Sequence, residues 1–489
     1  MASVRHILSD CEVLLWSGNP ASEVSLVTAD SREIKPGALF VAVPGYGRDG
    51  HDFIASAVEK GATAIVYEKD GAVEGLAEKG ITLAKVASSR KALAAVASAW
   101  YGHPSRKLKL CGITGTNGKT TTVTLLYRLF TALGYHCGML STIANYVGSR
   151  EIETVNTTSD PLTTNRLLAR MAEEGCQYCF MEASSIGIEQ DRVSGLDFDV
   201  AIFSNLTHDH LDYHKTFAEY IRCKKLFFDA LGKKAVAIIN ADDKNGSVMV
   251  QNTAAKVVTY ALRSAADHRC KIIEEGMEGM ELQIDGSQIW TRLIGRHNAY
   301  NILAAYCAAL ELGAGKEETL VALSSLESAK GRLEVLHGPK GLSVVLDYAH
   351  TPDALENVLA TLRETLPKGR QLLCLFGCGG DRDRSKRPEM AAVAEKYADR
   401  IIVSSDNSRS ERTEDIMEEI RQGFSPKGLA KSLFIADRRE AIRTAVLTAP
   451  EGSAILLAGK GHETYQITGS EKHYFDEREI TEEIFKTLC

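Results

Sequence analysis

A glycine-rich segment, GITGTNGKTTT at residues 112–122, carries the most distinctive chemistry in the sequence. Glycines let backbone N–H groups approach phosphate oxygens, Lys119 adds a full positive charge, and the hydroxyl of Thr120 can bind Mg²⁺. An apolar strand-like run precedes the segment, and a helical apolar stripe follows it at residues 123–133. This context predicts a phosphate-binding loop, although the ordinary P-loop rule requires a glycine where Ile113 stands.

Acidic residues and histidines follow two further apolar runs. Glu182 ends one run, and from that position its carboxylate can reach a magnesium ion bound by Thr120. The segment SNLTHDHLDYH at residues 204–214 places three histidines and two aspartates within seven residues. A solvated loop explains such density poorly, while a structural role explains any single His or Asp of the segment about equally well.

Short apolar runs separated by helical stretches must position these residues. They cover residues 108–113, 178–183, 198–204 and 235–240, and later residues 343–346, 372–376, 401–404, 433–436 and 454–458. Near-continuous apolar strands between helices imply parallel sheets that are covered on both faces. Many runs end in a polar or glycine-rich turn, at Glu182, Asn205, Asp347, residues 377–380, Asp406 and Gly459. Because open parallel sheets bind ligands beyond the carboxyl ends of their strands, these turns are candidate ligand sites.

The chain of 489 residues is long enough for about three domains at roughly 150 residues each. The segment YGHPS at residues 101–105 breaks the first strand–helix pattern, and the pattern restarts after residues 331–334. We predict an α/β fold in three domains: a smaller N-terminal α/β domain at residues 1–106, a central P-loop parallel-sheet ATP-binding domain at 107–334, and a C-terminal Rossmann-like α/β domain at 335–489.

Charge and hydropathy exclude several classes of protein. The formal net charge of −7 gives no general basic field, so we expect no nucleic-acid partner, and local Arg and Lys must bind any anionic substrate. No apolar run approaches the ~18 residues of a membrane span, and the first residues lack the apolar centre of a signal peptide. We therefore expect a cytoplasmic protein without membrane insertion.

Eleven cysteines, an odd number scattered along the chain, are typical of reduced cytosolic thiols rather than of a disulfide framework. The one tight pair, Cys176 and Cys179, lacks a second pair or a nearby His at zinc spacing. Buried thiols are therefore favoured over metal or redox chemistry at this pair.

The segments GTNGKT and DHLDYH resemble those of the Mur ligases, and folylpolyglutamate synthetases share the first of them. The resemblance implies an ATP-binding loop of Gly115, Thr116, Asn117, Gly118, Lys119, Thr120 and Thr121. It also implies magnesium ligands at Thr120, Glu182, His210 and Lys224, with Lys224 rather than Lys225 carbamoylated by CO₂. Lysine carbamate is an anionic oxygen ligand of the kind that Mg²⁺ prefers, whereas unmodified lysine repels the ion. A pair of lysines on a helix surface is the alternative.

Three further blocks resemble the nucleotide contacts of the family. They contain Asn298 and Asn301, Arg332, and Asp347. Arg332 can neutralise phosphate, and Asp347 can accept a hydrogen bond from a ribose hydroxyl. Asn298 can instead be a simple helix cap.

The N-terminal segments at residues 30–32, 36–42 and 49–51 look like the nucleotide-sugar domain of the MurE and MurF groups, which folylpolyglutamate synthetases lack. The resemblance to the MurE group extends to residues implied to bind UDP-MurNAc-L-Ala-D-Glu. They are Ser31, Asn156, Thr157, Thr158, Ser184, Gln190 and Arg192.

The segments at residues 377–384, 406–409 and 458–463 resemble the amino-acid pocket of the MurE group. The implied pocket residues are Arg382, Asp406, Asn407, Ser408, Arg409, Gly459 and Glu463. Arginine suits the second carboxylate of meso-2,6-diaminopimelate and repels the ammonium group of lysine. Ser408 departs from the DNPR motif of the diaminopimelate-adding members, which have proline at that position.

The resemblance therefore implies a ligase of peptidoglycan synthesis that uses ATP and Mg²⁺ to add a diamino acid to UDP-MurNAc-L-Ala-D-Glu through an acyl phosphate. The alternatives are the same ligase with L-lysine or L-ornithine, a MurF-like sister ligase, and a silent ATP-binding scaffold. Residues 406–409 argue against the sister ligase, and retention of Lys119, Glu182 and Lys224 argues against the scaffold. A nicotinamide dehydrogenase requires a G-x-G-x-x-G turn after a strand, which we do not find. The sequence does not identify a protein partner.

Overall fold

The structure is a computed structural model, and it describes residues 2–45, 47–207, 214 and 216–488. The chain divides into two compact units, Met1–Arg269 with Leu303–Thr319 and Cys270–Ile302 with Leu320–Cys489. Parallel strands alternate with helices in both units, so the predicted α/β class is confirmed. The three domain boundaries drawn from the sequence stay a prediction.

The N-terminal part of the first unit contains a mostly parallel sheet. The strands of this sheet are β2 (Val13–Ser17), β4 (Leu26–Thr28), β5 (Ala38–Val41), β6 (Ala62–Tyr67) and β7 (Thr82–Val86), and β1 (Ala2–Ser3) and β3 (Glu23–Val24) form a separate antiparallel pair. The helices of this part are α1 (Val4–Ile7), α2 (Ile54–Glu59) and α3 (Ser89–Trp100), with 3₁₀ helices at Gly50–Phe53 and Pro104–Lys107. The sheet order is β2-β7-β6-β5-β4, and only β2 runs antiparallel to its neighbour. Leu39 and Val41 pack in one core cluster and Phe40 in another, so both faces of the sheet are covered.

The rest of the first unit surrounds the predicted phosphate loop. Its strands are β8 (Lys109–Thr114), β9 (Cys137–Leu140), β10 (Asn145–Val147), β11 (Arg150–Ile152), β12 (Tyr178–Glu182), β13 (Val200–Phe203), β14 (Val236–Asn240) and β15 (Lys256–Ala261). Its helices are α4 (Lys119–Ala132), α5 (Pro161–Glu173), α6 (Ser185–Glu189), α7 (Phe217–Asp229) and α8 (Gly246–Met249). The strands pair in the order β11-β10-β9-β12-β8-β13-β14-β15, with all but β10 and β11 parallel. The carboxyl ends of β12, β8 and β13 therefore lie side by side.

Three elements contain the points where the chain passes between the units: β16 (His268–Gly276), α9 (Arg296–Glu311) and α10 (Lys316–Ser325). Strands β17 (Gly279–Ile284) and β18 (Ser287–Thr291) form an antiparallel ribbon with β16. The sequence analysis does not predict this ribbon.

The second unit contains a six-stranded sheet and a separate hairpin. Its strands are β19 (Glu334–His337), β20 (Ser343–Asp347), β21 (Leu372–Phe376), β22 (Arg400–Val403), β23 (Ser432–Phe434), β24 (Ala454–Ala458), β25 (Tyr465–Thr468) and β26 (Glu471–Tyr474). Its helices are α11 (Pro352–Thr365), α12 (Lys386–Tyr397), α13 (Thr413–Arg421), α14 (Pro426–Ala430), α15 (Arg438–Thr448) and α16 (Glu477–Leu488), with a 3₁₀ turn at Pro339–Gly341. The sheet order is β19-β20-β24-β21-β22-β23, and only β19 is antiparallel.

Helices cover both faces of this sheet. Leu372 and Cys374 on β21 pack with α11, α12 and α13, while Leu373 and Leu375 pack with α15 and α16. Alternate residues of one strand therefore enter opposite cores, which explains why this strand reads as a continuous apolar run. Each of the nine apolar runs predicted in the middle and the C-terminal part of the chain overlaps a strand.

No helix within the described ranges is both long enough and apolar enough to cross a membrane. The ten cysteines in that same part of the chain are free thiols, and all of them except Cys11 are buried.

Candidate active site

The predicted phosphate loop connects the central strand β8 to helix α4. Gly115 has a φ of 152° and Gly118, which precedes the helix, has a φ of 88°, both in the region that favours glycine. A Cβ atom at Gly115 would collide with the Oγ of Ser204 at the end of β13. Glycine at position 115 is therefore required by both its conformation and the close approach of the neighbouring strand end.

The turn after β13 fixes the loop through Asn205. The carbonyl of Asn205 accepts the Thr116 N–H at 2.8 Å, and its Oδ1 accepts the Asn117 N–H at 3.0 Å. The Asn117 carbonyl in turn accepts from the Asn205 Nδ2 at 3.1 Å and from the Ser204 Oγ at 2.6 Å. The loop thus keeps its shape through contacts with the adjacent strand end.

Two lysines converge on one carbonyl oxygen of the loop. The Nζ of Lys119 donates to the carbonyl of Gly115 at 2.9 Å and to that of Thr116 at 2.8 Å. The Nζ of Lys224, on α7, donates to the same Gly115 oxygen at 2.8 Å, and this side chain is only 1% exposed. Lys225 instead pairs with Asp229 at 2.5 Å on its own helix. Of the two adjacent lysines, Lys224 is the one whose amine lies at the phosphate loop.

A buried carboxylate lies beside the loop hydroxyl that was predicted to bind magnesium. The Oε1 of Glu182 accepts a hydrogen bond from the Oγ1 of Thr120 at 2.9 Å. Thr142, two residues after β9, donates its backbone N–H to the same Oε1 at 2.8 Å and its hydroxyl to Oε2 at 3.2 Å. A hydroxyl and a carboxylate are hard oxygen donors, so Thr120 and Glu182 fit a Mg²⁺ site.

Most residues predicted to bind the UDP-linked dipeptide lie next to Glu182. The Oγ1 of Thr157 lies 3.1 Å from that of Thr142, and the hydroxyl of Thr158 donates to the Glu182 carbonyl at 2.9 Å. Arg192 donates to the Thr158 carbonyl at 2.7 Å and, through Nη2, to the Oε1 of Gln190 at 2.7 Å. These side chains form one hydrogen-bonded group with the carboxylate.

Of the three other predicted residues of the first unit, Ser184 also contacts this group, because its backbone N–H donates to the Oγ1 of Thr158 at 3.0 Å. The Oγ of Ser184 caps α6 by accepting the Gly187 N–H at 3.0 Å. Asn156 is exposed. Ser31 lines a cavity of about 430 Å³ in the N-terminal part, together with Asp30, Arg32, Phe40 and Arg48. Ser31 therefore belongs to a different subsite from the residues near Glu182.

His210 lies outside the described residues, so its predicted role as a metal ligand stays a prediction. His214, from the same segment, is buried, and its Nε2 lies 2.9 Å from the Oγ of Ser185 at the start of α6. Its ring also lies 5.2 Å from that of Tyr220, whose hydroxyl is 3.1 Å from the Oγ1 of Thr116. This histidine connects the segment to α6 and α7.

In the second unit, some of the residues predicted to contact the nucleotide form hydrogen bonds within the protein. Asp347 is buried and accepts the Leu333 and Ala349 N–H groups, each at 2.8 Å. Burial raises the pKa of this carboxyl, although Arg332 opposes the shift. The guanidinium of Arg332 lies 5.0 Å from the centre of the Tyr348 ring, and its Nε is buried without a hydrogen-bond partner.

Asn301 is buried on α9, and its side chain donates to the Oδ1 of Asn298 at 3.0 Å. Asn298 donates to the Ile294 carbonyl at 2.8 Å near the start of the helix. The nucleotide contact and the helix cap that were the two interpretations of Asn298 both stay predictions.

The predicted amino-acid pocket brings together the turns after β22 and β24. Asn407 donates from its Nδ2 to the Oε2 of Glu463 at 2.9 Å, and its backbone N–H donates to the Oδ1 of Asp406 at 2.7 Å. Gly459 has a φ of 116°, and a Cβ atom there would lie 2.8 Å from the Oδ2 of Asp406. The close approach of the two turns therefore requires glycine at position 459.

Arg409 lies in the left-handed region, with a φ of 51°, and its Nη1 donates to the Gly380 carbonyl at 2.7 Å. Ser408 is 3% exposed, and its carbonyl lies against Gly380, where a Cβ atom would collide with it. Arg382, in contrast, is exposed. The structure places Arg409 at the glycine-rich turn after β21, and its role in binding the amino acid stays a prediction.

A buried lysine that the sequence analysis did not single out lies at the centre of this pocket. The Nζ of Lys460 donates to the Oδ1 of Asn407 at 3.1 Å and lies 3.4 Å from the Oδ1 of Asp406 and 3.9 Å from the Oε2 of Glu463. Burial raises the pKa of Glu463, and it lowers that of Lys460. Burial also acts to raise the pKa of Asp406, but the charges of Lys460 and Arg438 outweigh it and lower that pKa.

Thr142 is the second functional candidate that the sequence analysis missed. Little in the sequence indicated Thr142. It follows β9, a strand of only four residues that includes a glycine, and no apolar run in the sequence had predicted this strand. Lys460 had a better signal, since it lies directly after the buried strand β24 between two glycines.

Three family models match the chain. The Mur ligase family catalytic domain matches residues 23–105, the Mur ligase middle domain matches residues 113–309, and the Mur ligase glutamate ligase domain matches residues 331–461.

Curated relatives are similar over nearly the whole length. Proteins from Cytophaga hutchinsonii and Bacteroides fragilis, both named UDP-N-acetylmuramoyl-L-alanyl-D-glutamate–2,6-diaminopimelate ligase, are 47% and 48% identical, and the matches cover 99% of each chain. A protein of the same name from Bacillus cereus is 42% identical, with 94% of each chain covered.

Solved structures are similar as well. A structure with that same ligase name has a TM-score of 0.72 at 30% identity and covers 100% of this chain and 99% of its own. A MurF structure from Acinetobacter baumannii has a TM-score of 0.63 at 19% identity, with 99% of each chain covered, which is evidence of the fold alone. With full-length relatives at this level of identity and a phosphate loop backed by Glu182, the chain belongs to the Mur ligase family.

Proposed function

We propose that the chain is an ATP-dependent amide-bond ligase that joins 2,6-diaminopimelate to UDP-N-acetylmuramoyl-L-alanyl-D-glutamate and releases ADP and phosphate. The observation that carries the proposal is the hydrogen bond between Thr120 and Glu182 directly beside Lys119. It brings a hydroxyl and a carboxylate together where a phosphate loop requires Mg²⁺. The names of the full-length relatives support the choice of substrates.

In the proposed reaction, the γ-carboxylate of the D-Glu residue attacks the γ-phosphorus of ATP, and the bond from that phosphorus to the bridging oxygen breaks, which releases ADP. The amine of the incoming amino acid then adds to the acyl phosphate, and the tetrahedral intermediate loses phosphate. Positioning and charge stabilisation dominate such transfers. Lys119 supplies a positive charge at the loop, and Arg192 and Thr158 orient the segment beside Glu182.

Magnesium, when bound, neutralises charge on the phosphates. Thr120 and Glu182 offer the hard oxygen donors that this ion prefers. Lys224 offers an oxygen ligand only as a carbamate, and its Nζ lies at the carbonyl of Gly115, to which Lys119 also donates. This position beside the phosphate loop supports the proposed modification.

The second unit supplies the proposed pocket for the amino acid. Arg409 suits the distal carboxylate of 2,6-diaminopimelate, because a guanidinium binds a carboxylate with two parallel hydrogen bonds. Asp406 and Glu463 suit the ammonium group, and Gly459 leaves room beside Asp406. We propose the meso isomer as the substrate, as the sequence predicted.

The test is phosphate release by the purified protein with ATP, Mg²⁺ and UDP-MurNAc-L-Ala-D-Glu, in the presence of meso-diaminopimelate, L-lysine, L-ornithine or D-Ala-D-Ala. We expect rapid release with meso-diaminopimelate only, and mass spectrometry should identify the amide product. Faster ligation of lysine or ornithine would contradict the proposed substrate and leave the ligase activity intact. Ligation of D-Ala-D-Ala would indicate the sister activity instead, and no release with any amine would contradict the ligase proposal.

A further inference from the structure

The side chain of Lys460 is completely buried, with 0% exposure, between the turns after β22 and β24. Its Nζ donates to the Oδ1 of Asn407 at 3.1 Å and to the backbone carbonyl of Tyr465 at 2.9 Å. Two carboxylates complete its surroundings, those of Asp406 at 3.4 Å and Glu463 at 3.9 Å. A lysine is rarely buried in this way unless opposite charges compensate it.

Lys460 and the Ile467 N–H together determine which way the Asn407 amide faces. The Oδ1 of Asn407 accepts from the Lys460 Nζ and also from the Ile467 N–H at 2.9 Å. Both donors require the oxygen on that side, because neither can accept a hydrogen bond. The Nδ2 of Asn407 therefore faces Glu463, to which it donates at 2.9 Å.

Charge in the pocket follows from the same contacts. Asp406 and Glu463 contribute two negative charges and Lys460 one positive charge, which leaves one net negative charge in this group. Other charged and titratable groups also face it: Arg409, Arg438, Lys386, Glu477, His350, Cys378, Tyr348 and Tyr465. Arg438 and Glu477 form their own ion pair at 2.7 Å, so they compensate each other.

We propose that Lys460 is a positioning residue for the amino-acid substrate, which fixes the Asn407 amide together with the Ile467 N–H and offsets one of the two negative charges that Asp406 and Glu463 offer to the substrate's ammonium group. The proposal rests on the ligase function proposed above and adds a residue to it. Without Lys460, buried Asp406 and partly buried Glu463 would lose the positive charge that lies between them, which favours uptake of a proton by one of them. The carboxylate pair would then not keep the charge that suits an ammonium group, and only the Ile467 N–H would hold the Asn407 amide oxygen in place.

The test compares wild type with Lys460→Met and Lys460→Arg, using full-length protein. For Lys460→Met we expect the KM for diaminopimelate to rise about tenfold, since charged hydrogen bonds are lost, while the KM for ATP and for the UDP-linked dipeptide stays within about twofold. In wild type we expect the KM for diaminopimelate to rise at low pH, as the two carboxyls become protonated. In Lys460→Met this rise should begin at a higher pH, because loss of the cation raises the pKa of both carboxyls. Lys460→Arg should retain the wild-type pH profile.

Exposed Lys427 on α14 provides the matched control, and Lys427→Met should leave all three KM values unchanged. Equal effects of Lys460→Met on all substrates, or an unshifted pH profile, would overturn the proposal and indicate a structural role. If Lys460→Met does not fold, Lys460→Arg decides: a shifted pH profile in this variant, which keeps the charge, would also overturn it. An inactive wild-type protein would instead count against the ligase function itself.

Discussion

Lys119 and Lys224 donate hydrogen bonds to the same carbonyl oxygen, that of Gly115, from helices far apart in the sequence. Two ammonium groups this close repel each other, and burial removes much of the water that would screen them. A carbamate on Lys224 replaces one positive charge with a negative charge that attracts Lys119. The shared oxygen thus gives a physical reason for the modification proposed from the family resemblance.

We therefore expect Lys224→Ala to inactivate the enzyme and short carboxylic acids to restore part of the activity by replacing the carbamate. Mass spectrometry under native conditions should show the mass of one CO₂ on wild-type protein and none on the variant. Lys225→Ala is the matched control, because Lys225 pairs with Asp229 away from the loop, and it should remain active. Fully active wild-type protein with an unmodified Lys224 would refute the carbamate.

Lys119→Ala should abolish ligation, because the variant lacks the only full positive charge of the loop sequence. We expect turnover to fall roughly 100-fold or more, the scale for loss of a group that stabilises transition-state charge. Steady-state phosphate release measures the effect, and circular dichroism checks that the variant is folded. Turnover within a few-fold of wild type would rule out this ATP site.

Thr142→Val should weaken the response to magnesium, since the variant loses the hydroxyl that donates to the Oε2 of Glu182. The backbone N–H of residue 142 still donates to Oε1, so we expect a partial effect. The Mg²⁺ concentration for half-maximal activity should rise about 10-fold, the lower end of the range for lost outer-shell hydrogen bonds. Thr142→Ser keeps the hydroxyl and should behave as wild type. An unchanged magnesium response in the valine variant would show that Glu182 does not depend on Thr142.

Arg409→Ala should raise the KM for diaminopimelate and cost roughly 2–5 kcal/mol in kcat/KM, the range for breaking a buried charge pair. Lysine lacks the distal carboxylate, so its use should fall far less and can even improve. The ratio of kcat/KM for the two amino acids measures this difference. Equal losses for both would show that Arg409 does not contact the distal carboxylate.

The variant Ser408→Pro restores the proline of the DNPR motif, and it tests the role of position 408 independently of Arg409. Proline fixes φ without adding a charge, so the preference for diaminopimelate over lysine should not change if Ser408 only shapes the turn. The same ratio of kcat/KM values measures it. A reversed preference in this variant would assign specificity to the residue at position 408.

The strands and the loops that follow them could be predicted from the sequence because both depend on local residue patterns. The apolar run at residues 454–458 and the glycine after it specify β24 and its turn without reference to the rest of the chain. The contact between Thr142 and Glu182 could not be predicted, because it depends on the pairing of β9 with β12. Strand order is set by long-range contacts rather than by local sequence. Lys460 was visible in the sequence, but its surroundings depend on Asp406 and Asn407, which lie more than 50 positions earlier in the chain.

Buried thiols in both units can be used to follow local unfolding of the protein. The first unit contains buried Cys111, Cys179 and Cys223, and the second contains Cys374 and Cys378. Burial raises the pKa of the Cys374 thiol to about 12, and alkylating reagents attack the thiolate form. These cysteines therefore react only when the unit around them opens. Pulsed alkylation followed by peptide mapping can thus time the opening of each unit separately in the unmodified protein, without any engineered label.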